Sequence, residues 1–65
     1  MKIDVCKEKD VVVRIDGSER LRISPRNGEL IVAVSACLPV NFEDASEVLS
    51  AYRLAFDLAK DIVLE

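Results

Sequence analysis

The hydrophobic pattern of this chain changes period once, at Asn41, and that change limits the fold more than any other feature. Before it, apolar residues alternate with polar ones, the mark of strands with one wet face. Ile3 and Val5 alternate with Lys2 and Asp4. Val11, Val13 and Ile15 alternate with Val12, Arg14 and Asp16, and Leu21 and Ile23 with Arg20 and Arg22. Leu30, Val32 and Val34 repeat the pattern in a fourth run. Strands are expected at about 2–6, 11–16, 20–25 and 29–35. Asp16-Gly17 and Asn27-Gly28 separate the last three, and both dipeptides accept the positive φ of a tight hairpin turn. Strands two to four therefore form an antiparallel meander; the position of the first is left open.

From Asn41 onward the period is helical, with no glycine or proline after Pro39. Asn41 with Asp44 reads as a capping arrangement, and Glu43, Asp44 and Glu47 suit the positive end of a helix running from about 42 to 63. Placed at about 100° per residue, Ala45, Val48, Leu49, Tyr52, Ala55, Phe56, Ala59, Ile62 and Val63 form the stripe expected to meet the sheet. The expected fold is thus α+β: a three- to four-stranded antiparallel meander packed on one long C-terminal helix.

At 65 residues there is room for one domain, 1–65, with one small core. A chain of this size buries only about 60% of the surface its unfolded form exposes, so added burial is valuable. Cys6 and Cys37 are the only cysteines and there is no histidine. That set is poor for a zinc site, and the two thiols read as small buried or half-buried apolar groups. Association with another subunit is the remaining source of burial. Ala51, Leu54 and Leu58 lie to one side of the expected stripe and make the candidate seam of a homodimer; against this, isolated exposed leucines are ordinary. No apolar run reaches the roughly 20 residues that span a bilayer, so no membrane partner is expected. The acidic Asp4 so near the start is unlike a secretion leader, and a reducing cytoplasmic setting is expected.

Two further surfaces stand out. On the sheet face away from the helix, Val12, Ile31 and Ala33 form an apolar strip bordered by Arg14 and Arg22, a combination common at protein interfaces. On the helix, Glu43, Glu47, Asp57 and Asp61 make an acidic surface. Charge divides along the chain: seven basic and five acidic residues through Arg26, two basic and seven acidic after it. Arg14, Arg20, Arg22 and Arg26 open the alternative of a nucleic-acid-associated regulator, and the acidic helix that of an inhibitor imitating a nucleic-acid backbone. Weighing against the first, the sheet face carries no aromatic residue for base stacking. Against the second, Arg53 and Lys60 sit among the acids, where i,i+4 pairing such as Arg53 with Asp57 suffices.

Catalytic signals are weak. Gly17 and Gly28 stand alone at turns, far from a phosphate-cradling motif, and no residue pattern supplies a nucleophile with its base. No enzymatic activity, cofactor, metal or small-molecule substrate is expected. The chain reads as a small protein-binding module, homodimeric, acting as a regulator or inhibitor by occupying a surface of a larger protein.

Overall fold

The computed structural model describes residues 1–35 and 37–64; of residues 63 and 64 it describes the helical backbone. Four strands, β1 (Ile3–Lys7), β2 (Val11–Ile15), β3 (Ser18–Arg26) and β4 (Glu29–Val34), precede one helix, α1 (Phe42–Leu64). The sheet is antiparallel throughout, in the order β1-β2-β3-β4. The first strand therefore extends the meander beside β2. It is anchored at its start, where the Asp16 amide donates to the Lys2 carbonyl (2.8 Å) and the Lys2 amide to Asp16 Oδ1 (2.9 Å).

Both glycine dipeptides form two-residue turns with positive φ at each position: 52° and 84° at Asp16-Gly17, 51° and 81° at Asn27-Gly28. These are type I′ turns, whose twist matches that of the strands they join. Register follows from them. Leu21 faces Val34, Ile23 faces Val32 and Pro25 faces Leu30, so the alternating apolar residues of β3 and β4 share the helix side. Between Val13 and Arg14 the β2–β3 register shifts by one residue, which brings Glu19 rather than Arg20 opposite Arg14.

Val11, Val13, Ile15, Leu21 and Ile23 meet Val48, Ala51, Ala55 and Ala59 to form the core. Asn41 starts the helix, its carbonyl accepting from the amides of Asp44 (3.0 Å) and Ala45 (3.1 Å). The helix packs chiefly over β3 and β2, then β1, and least over β4. No helix among the described residues is long and apolar enough to cross a membrane.

The helix sits rotated by roughly 50° from the expected stripe. Ala51, expected on the exposed seam, is buried in the core, while Leu49, expected inside, is 70% exposed and Ala45 is also exposed. Volume complementarity accounts for the rotation. Ala51, Ala55 and Ala59 stack at four-residue spacing into a ridge of small side chains, and a sheet bristling with valine, leucine and isoleucine admits the backbone most closely along such a ridge. Two flanks result. Leu58 half-packs against the core on one, with Leu54 half-exposed beyond it; Tyr52 and Phe56 half-pack on the other, with Leu49 and a fully exposed Phe42 outside them. Val63 lies outside the residues whose side chains are described.

Candidate interaction surfaces

The face of the sheet away from the helix is organised by one arginine. Arg22 donates from Nε and Nη2 to the two carboxylate oxygens of Glu19 (3.1 and 2.8 Å), a bidentate fork, and from Nη1 to Asp10 Oδ2 (2.9 Å). The register shift makes this possible, since Glu19 is carried to the outer face within reach of Arg22. Asp10 Oδ1 also receives Arg26 Nη2 at 3.3 Å. The Arg22 guanidinium holds the carboxyls of Asp10 and Glu19 below their ordinary range, and the two carboxylates raise Arg22 still further into its charged form.

This network lies beside Val12. Val12 pairs with Cys6 on β1 and with Arg22 on β3, and lies with Asp10 and Arg22 on the wall of one hollow. Val12 is only 6% exposed, so it does not belong to a free apolar strip as its alternation suggested. A shallow hollow of about 360 Å³ beside it is walled by Cys6, Glu8, Lys9, Asp10, Arg14 and Arg22. Arg14 Nη1 points there to Cys6 Sγ at 3.6 Å. Cys6 falls on the outer face by alternation and Cys37 lies in the β4–α1 connection; both thiols are free and exposed, contrary to the burial expected of them.

Of the four sheet arginines, Arg22 and Arg26 are thus engaged by carboxylates of the same face. Arg20 differs. Among the described residues it has no ion pair, and its Nε is buried without a hydrogen-bond partner. It borders a second hollow of about 190 Å³ with Glu19, Ala33, Val34 and Ser35, at the outer edge of the sheet.

That edge is β4. Ile31 and Ala33 are exposed on the outer face as expected, but Val32 and Val34 on the helix side are exposed too, Val34 to 61%. The reason is lateral: α1 is centred on β2 and β3 and packs least over β4, where Leu30 alone of that strand joins the core. Alternation locates an apolar face correctly yet carries no information on how wide a layer one helix covers. This second apolar face of β4 was missed in the sequence; its signal was the absence of any charge in Leu30–Val34 on either parity.

Glu43, Glu47, Asp57 and Asp61 are all exposed on the helix, and among the described residues no ion pair links Arg53 to Asp57. The class defined by these elements is a four-stranded antiparallel sheet packed on one C-terminal helix, with β1 and β4 as its two edges. Comparison with protein-family models, with curated proteins and with solved structures found no match.

Proposed function

We propose that this chain is a small, non-enzymatic protein-interaction module, working as a homodimer and regulating or inhibiting a larger protein by occupying part of its surface. The observation that supports it is β4: an edge strand of six residues with one charge at its start, exposed on both faces from Ile31 to Val34. Natural sheets ordinarily guard such an edge with lysine, proline or a covering element. An edge left open in this way suits addition of an extended segment, whose main-chain hydrogen bonds supply affinity while exposed side chains on both faces supply specificity. The nucleic-acid reading draws less support, because Arg22 and Arg26 are already paired with carboxylates.

A photo-crosslinking residue placed at Val34, with Glu8 as a control on the β1–β2 turn, tests the assignment in the source cells. Adducts of defined mass are expected from position 34 and few from position 8. Equal yields from the two positions, or none from 34, would remove β4 as the docking surface.

A further inference from the structure

We infer that the occupant of the β4 edge is a second copy of this chain, paired antiparallel across a two-fold axis at Val32 to give a continuous eight-stranded sheet. The inference rests on the reading of β4 as a docking edge and adds its partner, register and charge contacts.

The backbone sets the register. In an antiparallel pair, successive residues direct their N–H and C=O groups alternately toward and away from the partner strand. The Ser35 amide donates to the Arg20 carbonyl at 3.0 Å, so Ser35, Ala33, Ile31 and Glu29 turn their polar groups toward β3. Leu30, Val32 and Val34 turn theirs outward, along the open edge. A two-fold axis normal to the sheet keeps both helices on one side, so residues of the same parity must face each other. Placing Val32 opposite Val32 of the second copy puts Leu30 opposite Val34 in both directions, and every outward group on this strand gains a partner. Sliding the copies by two residues either way leaves Val34 or Leu30 beyond the end of the paired strand.

Charge agrees with the same register. With Val32 on the axis, Glu29 falls opposite Ser35 of the second copy, and Ser35 is the neighbour of Arg20 on β3. Glu29 and the second copy's Arg20 then lie two strands apart on the outer face, roughly 10 Å between Cα atoms, within the combined reach of the two side chains. Arg20 is the arginine whose Nε has no partner within the described chain, and Glu29 has no ion pair there either. Two symmetric Glu29–Arg20 contacts close the ends of the paired edge. The opposite edge of the sheet is less suited: β1 carries Asp4 in mid-strand and ends in Lys7.

A strand-edge contact is small among protein interfaces, so sedimentation equilibrium from tens of micromolar to about 1 mM is the appropriate range. The mass is expected to climb from 7.2 kDa toward twice that value. Over the same range the amides of Leu30, Val32 and Val34 are expected to slow in hydrogen exchange by roughly tenfold, while those of Ile31 and Ala33, already bonded to β3, change little. Val32→Lys sets two ammonium groups face to face at the axis and is expected to hold the chain at 7.2 kDa throughout. Arg20→Glu and Glu29→Arg are each expected to weaken the dimer, and the double variant to restore it. A chain monomeric at every concentration overturns the self-pairing, as does a dimer whose Leu30, Val32 and Val34 amides do not respond or one indifferent to Val32→Lys. If the monomer still crosslinks from position 34 to a larger species, self-pairing fails and the docking reading stands; if position 34 crosslinks to nothing, both fail.

Discussion

At the residue scale, two positions test the physical account most directly. Gly28 has open space around it, yet its φ of 81° is one that a side chain disfavours, so Gly28→Ala carries a conformational cost with no steric clash. A loss of about 1–2 kcal/mol in denaturant unfolding is expected, with the native hairpin register retained. The second position is Arg22. Asp10 and Glu19 titrate below their ordinary range in the folded chain because Arg22 holds their charged forms. Groups whose folded pKa is depressed add stability that is fully present above their unfolded pKa and is lost as pH falls through the folded one. The stability contributed by the network is therefore intact at pH 6 and expected to decline below about pH 4.5. Arg22→Met is expected to reduce stability at neutral pH and to flatten that acid decline, as measured by urea titrations at a series of pH values. An unchanged pH profile would show that the ion pairs carry no net stability.

At the element scale, the orientation of α1 is the feature that pattern reading misjudged. Apolar residues cover so much of this helix that a hydrophobic stripe can be drawn around several centres, and the stripe expected from angular spacing runs through Leu49 and Ala45. The ridge of Ala51, Ala55 and Ala59 decided otherwise, because close approach of backbone to sheet recovers dispersion contacts along the whole helix. Substitutions separate the two orientations. Ala55→Leu is expected to overpack the core and cost about 1–3 kcal/mol, while Leu49→Ala is expected to change stability by no more than about 0.5 kcal/mol. The reverse ranking in thermal or urea unfolding would restore the stripe expected from sequence. Of the candidate seam, Ala51 is consumed by the core and Leu58 is half-packed, leaving Leu54 as its one half-exposed member.

At the scale of the whole molecule, the helix sets the shape. Its 23 residues span about 34 Å, and the molecule measures 36 × 19 × 16 Å. One narrow rod lies along a sheet wider than itself, so the fold covers three strands and meets the fourth only near Leu30. With a core built largely from five strand residues and three alanines, stability has little reserve. Leu21→Ala, at a fully buried centre, is expected to cost about 2–5 kcal/mol, enough to unfold much of the population at low concentration. If a second copy completes the sheet, the melting temperature of the parent chain rises with protein concentration, since only the folded form pairs. Melting curves that superimpose over a hundredfold range of concentration would argue for a self-sufficient monomer.

What the sequence determined by itself was local and periodic. Alternation at β1 to β4, two glycine dipeptides that demand type I′ turns, and the switch to a helical period at Asn41 specified the elements, the meander and the α+β class, since each depends on neighbours a few residues apart. Only the tertiary structure decided which arc of the helix meets the sheet, that Val12 is buried beside the Arg22 network, that both thiols are exposed, and that β4 beyond Leu30 stays exposed on both faces. Those outcomes depend on the relative widths and volumes of elements distant in the chain, and no spacing along one strand or helix records how far its neighbour reaches.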